Sequence, residues 1–192
     1  MDPAGPLVEA VRLRERWELA AARRVLVRAV ASTQGPLAAG TARRMLAEVL
    51  REMGHAEAAY RVAAPLAAEH ERTLGSGHPA TVRSLGVLAT VVHDLGRHAA
   101  AAALYRRVVN APVDPQGPAG RAVSLARVHL ALLHRDRGDP ARALRDLGAA
   151  YALHRRAYGA LDVDTIRVGA ELAGLHRAAG DVPAARRLLT VS

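Results

Sequence analysis

The chain has no cysteine, no phenylalanine and no lysine. Without cysteine there is no disulfide framework, no thiolate nucleophile and no thiolate metal site. Aromatic residues make up only 3% of the sequence, so the base-stacking platform on which single-strand nucleic-acid binders depend is scarce. No apolar run approaches the roughly 20 residues that a membrane span needs. Met1-Asp2-Pro3-Ala4-Gly5-Pro6 leads into a mixed charged segment, not the apolar core of a signal peptide, so a cytoplasmic protein without membrane attachment is expected. There is no glycine-rich phosphate loop and no hydrolase or kinase motif. No enzyme activity, cofactor or metal is expected.

What is present is alanine, leucine, valine and arginine. Hydrophobic residues make up 51% of the chain, and its 27 basic residues, all arginine, face 18 acidic ones for a net charge of +9. Arginine without lysine, with abundant alanine, points to a high-GC genome and makes part of the arginine excess codon bias. The charge itself admits acidic partners or nucleic acid.

The glycines carry the organising signal. Leu46-Ala47, Gly54 and Ala59 recur as Leu88-Ala89, Gly96 and Ala101, then as Leu130-Ala131, Gly138 and Ala143, then as Leu172-Ala173, Gly180 and Ala185. A fixed period of this length is the mark of a repeat array. Each unit reads as two helices and a tight turn. Leu85, Leu88, Ala89 and Val92 follow helical spacing ahead of Gly96, and glycine takes the left-handed cap conformation there without a steric penalty. Asp139-Pro140 and Asp181-Val182-Pro183 supply an N-cap carboxylate and an early proline for the second helix. The alanine columns let paired helices approach closely.

These columns resemble the tetratricopeptide repeat. The period and the segment Leu74-Gly75-Ser76-Gly77-His78-Pro79-Ala80-Thr81 resemble its kinesin-light-chain type, found in high-GC (actinobacterial) bacteria. Gly159 and Thr165 keep this pattern, but Asp162-Val163 stands where His78-Pro79 does. The resemblance covers about residues 36–190. It implies an all-α fold, a right-handed α-solenoid of stacked antiparallel helix pairs, with about four full repeats at 37–73, 75–110, 118–157 and 159–190. A degenerate leading pair occupies 6–32, and 1–192 reads as a single array domain. The family usually packs with large aromatics, which this chain replaces by Leu, Val and Ala.

Three local features stand out. Ala21-Ala22-Arg23-Arg24-Val25-Leu26 matches Ala184-Ala185-Arg186-Arg187-Leu188-Leu189, which makes 18–32 the second helix of the leading pair. Trp17 then stands where the turn glycine belongs; it reads first as an apolar plug at the start of the stack, with a ligand-stacking role as the alternative. Pro65 is placed inside a helix and should kink it. The run Asn110-Ala111-Pro112-Val113-Asp114-Pro115-Gln116-Gly117-Pro118 reads as a joint between two halves. At the other end Leu188, Leu189 and Val191 lack a polar terminal helix over them, and a contact edge for a second copy or a partner is expected there, with a frayed edge as the alternative.

Nine histidines invite a metal hypothesis that their spacing disfavours. His93 and His98 straddle a turn, and His129 and His134 are five apart, roughly 140° around a helix. His134 and His176 share one column and have the register to meet between adjacent units. Space-filling histidines are the preferred reading.

The first-helix positions 13, 10, 6 and 3 before each turn glycine share one face, the side that such arrays use for binding. The position three before holds Arg51, His93, Arg135 and Arg177; the position thirteen before adds Arg83 and Arg167; the first unit adds Arg44. Val128, Leu132 and Leu125 lie on the same face. The arginine fork suits carboxylates, and the resemblance implies that acidic peptide ends are held this way. The leading expectation is therefore a non-enzymatic adaptor or regulatory module gripping an acidic or amphipathic segment, with Arg44, Arg51, Arg83, His93, Val128, Leu132, Arg135, Arg167 and Arg177 as peptide-binding residues. The competing view of this face is a ladder of solvated ion pairs, since Glu52, Asp94 and Asp136 follow three of the basic residues. Two other functions stay open: a nucleic-acid-associated basic protein, disfavoured by mixed signs along the helices, and a helical-repeat enzyme or small-molecule binder using groove histidines.

Overall fold

In the computed structural model, residues 5–33, 35–114 and 116–190 are described. They form helices throughout, with no strand among them. In chain order these are α1 (Gly5–Glu15), α2 (Leu19–Ser32), α3 (Pro36–Glu52), α4 (Ala56–Leu74), α5 (Pro79–Asp94), α6 (His98–Val109), α7 (Gly120–Asp136), α8 (Pro140–Tyr158), α9 (Val163–Ala178) and α10 (Val182–Leu189). The chain falls into two compact units that part at the proline-rich joint, one reaching to Arg107 with Ala111–Val113, the other holding Val108–Asn110 and Asp114 onward.

In the first unit α1 packs on α2, α2 on α3, α3 on α4, and α5 on both α3 and α4. Ala10, Leu26, Met45, Leu46, Val49, Leu50, Ala59 and Val91 form its core. In the second unit α7 packs on α8, α8 on α9 and α9 on α10, around Val128, Ala131, Ala143, Leu147, Ala150, Val168, Leu172 and Leu175. The small-residue columns explain the close pairing: Ala47, Ala59, Ala89, Ala101, Ala131 and Ala143 are fully buried. Any larger side chain there would force overpacking, at roughly 1–3 kcal/mol.

Each turn glycine ends its helix in the same way. Gly54, Gly96, Gly138 and Gly180 have φ between 74° and 84°. Gly54 N–H donates to Arg51 O at 2.9 Å and His55 N–H to Leu50 O at 2.9 Å, and the other three turns repeat both bonds. This is a Schellman cap, which satisfies carbonyls that the helix end would leave open. The caps of the second helices are those expected: Asp139 accepts from Arg142 N–H and Asp181 from Ala184 N–H.

Trp17 makes the same turn without the glycine. Its φ is 59°, its N–H donates to Arg14 O at 2.9 Å, and Glu18 N–H donates to Leu13 O at 2.9 Å. The leading pair is thus a full structural counterpart of the others. The plug reading is corrected, however: the Trp17 side chain is 76% exposed. A left-handed non-glycine residue costs about 1–2 kcal/mol, and no burial of the ring offsets it. Trp17→Gly is therefore expected to stabilise the protein by about 0.5–1 kcal/mol. A lower midpoint for the variant in urea denaturation would contradict this. Pro65 lies inside a helix as expected: α4 runs from Ala56 to Leu74 with the proline on its exposed side, where water can reach the carbonyl left without its backbone bond.

Candidate functional site

In the first unit, three guanidinium groups meet three carboxylates along α1, α3 and α5, and a fourth lies beside them. Arg14 donates to Glu48 at 2.9 Å and through Nε to Glu52 at 2.9 Å. Arg44 also pairs with Glu48, one helical turn along α3. Arg51 reaches across to Asp94 at 3.1 Å. The fourth, Arg83 on α5, has no carboxylate within ion-pair distance among the described residues, and its Nε is buried without a hydrogen bond. Burial lowers its pKa, and the neighbouring charge of Arg44 lowers it further; Glu48 opposes both only through its field. Arg83 is the one cation of this cluster whose charge the fold leaves unmatched.

His93 lies on the same unit and is used in ring packing. Its ring meets His98 edge-on at 5.1 Å between centroids and Tyr105 at 6.3 Å. Arg14 is the residue that sequence reading missed. It sits three positions before Trp17, the same place that Arg51 and His93 hold before their glycines, so the signal is present once Trp17 is taken as a turn residue.

In the second unit the predicted residues fare differently. Arg135 pairs with Asp136 at 2.9 Å and Glu171 at 3.4 Å. Arg167 pairs with Asp164 at 2.9 Å. Arg177 is exposed, with no carboxylate in reach among the described residues. Val128 is only 5% exposed and belongs to the core with Leu147 and Val168, and Leu132 packs against the same cluster. Val128 is therefore no surface for a partner: ten positions before the turn is where α9 covers α7–α8. The ion-pair ladder weighed against a binding face is real for Arg44, Arg51, Arg135 and Arg167.

The histidine column does not come together. His134 Nδ1 lies 3.1 Å from Asp146 and His176 Nδ1 lies 3.4 Å from Asp181, each facing the helix that follows it. Among the described residues, no three His, Asp or Glu side chains converge as metal ligands would. Arg121 makes the densest contact of this unit. It pairs with Asp162 at 2.9 Å and Asp164 at 2.6 Å and lies 4.3 Å over the Tyr158 ring. Hydrogen bonding to Asp162 raises its pKa, and the reciprocal bond holds Asp162 below the usual carboxylate range. Among the described residues no helix is long and apolar enough to cross a membrane.

Tetratricopeptide repeat models match residues 37–111 and 123–164, more than half of the chain. The fold is similar to that of a kinesin light chain nearly identical TPR-like repeat protein from Podosopora anserina, at a TM-score of 0.68 and 20% identity, covering 98% of this chain and 94% of that one. It is also similar to BtubC (BKLC) from P. vanneervenii, at 0.71 and 16%, covering 96% and 75%. A thermophilic TPR protein of Thermus thermophilus aligns at 0.67 and 20%, covering 97% and 87%. A search of curated proteins gave no match. These likenesses bear out the all-α solenoid class, and with the 42-residue register of Gly54, Gly96, Gly138 and Gly180 the chain belongs to the tetratricopeptide repeat family.

Proposed function

We propose that this chain is a non-enzymatic, cytoplasmic protein-interaction module that grips an acidic or amphipathic segment of a partner protein. The family supports a protein-interaction role in general. The observation that carries the finer reading is Arg83, a half-buried guanidinium with an unbonded Nε beside Arg44. A half-buried cation with no carboxylate bonded to it carries part of the cost of desolvating a charge in the free protein. An incoming carboxylate removes that cost, and a fork-to-carboxylate hydrogen bond adds to the gain. Arg14, Arg44 and Arg51 are matched by Glu48, Glu52 and Asp94, so the surplus positive charge of the cluster is that of Arg83. Of the three arginines predicted as binding residues in the second unit, Arg177 is the one with no carboxylate in reach among the described residues.

The test is titration of the full chain with fluorescent acidic peptides, free at the C-terminus, at moderate salt. Arg83→Met keeps the stem and removes the charge. It is expected to weaken the best peptide by about tenfold or more, since losing a charged hydrogen bond costs roughly 1.5–3 kcal/mol. Arg135→Ala, whose charge is already spent on Asp136 and Glu171, is expected to change binding less than about threefold. Equal affinity for the wild type and Arg83→Met would sink the reading. So would binding confined to nucleic acid and falling steeply with salt.

A further inference from the structure

The two ends of the repeat series are not alike. Within the second unit, Val128 of α7 and Leu147 of α8 are covered by Val168, Leu172 and Leu175 of α9. One period later, the same two positions are Ala170 and Leu189, and both are exposed, Leu189 by 63%. Ala170 shares a face of α9 with Val163 and Ile166, which are 80% and 49% exposed. Val182 and Leu189 share a face of α10 with Arg186, by the same steps of three and four. The interface between successive helix pairs is thus present once more, as an uncovered apolar surface.

The chain's own leading pair does not fit it. The α1 positions that correspond to Val168, Leu172 and Leu175, counted back from the turn residue, are Gly5, Glu9 and Arg12, all exposed. Glu9 and Arg12 put charge on this outer face, as a capping pair does, and Val8, 48% exposed, is the apolar side chain beside them. An end-to-end series of copies would set Glu9 and Arg12 against Leu189 and Ile166 and leave charges unpaired in an apolar contact. The apolar surface on this chain that matches the α9–α10 face is that face itself. Its charges fit such a pairing: Asp181 stands at the start of α10 and Arg186 and Arg187 near its end. Antiparallel placement of two α10 helices sets each acidic end beside a basic one, as a two-fold contact requires.

We infer that a second copy of this chain docks on the α9–α10 face, giving a closed two-fold dimer. The edge expected at Leu188 and Leu189 is part of it, although Leu188 packs inward against the core; Val191 lies outside the described residues. This inference is independent of the Arg83 reading.

Sedimentation velocity on the full chain, from micromolar to sub-millimolar concentration, reads the outcome. A monomer–dimer equilibrium that stops at the dimer is expected. Ile166→Glu and Leu189→Glu should each weaken it about tenfold or more, at least about 1.4 kcal/mol, with helical circular dichroism unchanged because both sites are exposed. Val8→Glu, on the leading pair, should leave it intact. A monomer at every concentration overturns the inference. So does a dimer that survives both glutamates, or growth beyond the dimer that Val8→Glu blocks.

Discussion

Leu147→Ala is expected to cost about 3 kcal/mol of unfolding free energy, within the 2–5 kcal/mol range of buried leucine truncations. Leu147 is fully buried at the centre of the second unit's core, in contact with residues of α7, α8 and α9. Its removal leaves a cavity that neither Ala143 nor Ala150 can fill, because alanine has no rotamer to move. Leu189 occupies the same repeat position one period later and is 63% exposed. Leu189→Ala is expected to cost less than about 0.5 kcal/mol. The pair holds residue type and repeat column constant and varies coverage, with Leu189 closing α10 where Leu147 lies inside α8. Urea denaturation of both variants at low protein concentration, where self-association does not contribute, measures the difference. Costs that agree within about 1 kcal/mol would mean that Leu189 is covered in solution or Leu147 is not.

Helix order and most boundaries were legible because the register is enforced by backbone chemistry. A Schellman turn needs a left-handed residue, glycine meets that need cheaply, and so Gly54, Gly96, Gly138 and Gly180 mark the ends of α3, α5, α7 and α9. Trp17 shows where this logic thins. The match of residues 21–26 to 184–189 locates the turn there, but nothing in a tryptophan says that its ring will point to water. The binding face was less legible, for a different reason. Helical spacing tells which residues share a face, not which of them a neighbouring helix covers or neutralises. Val128 and Arg83 share the binding face in projection, yet the first is core and the second is half-exposed. Arg51 and Arg83 look equivalent in sequence, yet Asp94, 43 positions from Arg51, matches only the former. Cross-repeat pairing of this kind depends on side-chain reach, which the period does not encode.

Acid should destabilise the protein well above the range in which its carboxylates titrate. His70 and His154 occupy the same column two periods apart, and both rings are buried. His70 Nδ1 lies 2.9 Å from Ser84 Oγ, whereas the counterpart of Ser84 is Val168, and neither nitrogen of His154 has a hydrogen bond. Burial lowers both pKa values. Around His154, Asp164 and Asp162 pull the value up while Arg121 and Arg167 pull it down; around His70, Glu69 opposes Arg43 and His78. The unfolded chain therefore takes up these protons near about pH 6.5 while the folded chain still refuses them. Their stabilising contribution is complete above that pH and declines below it until the folded pKa is reached, by at most about 1.4 kcal/mol per pH unit for each ring. Asp162 and Glu69, held low by Arg121 and Arg43, add their own loss only below about pH 4. His154→Leu removes one titrating ring and two unbonded polar atoms from the core. It should shrink the fall in unfolding free energy between about pH 8 and pH 5 and leave the variant more stable than the wild type at the acid end. An unchanged pH dependence in the variant would show that His154 is protonated or solvated in the folded chain.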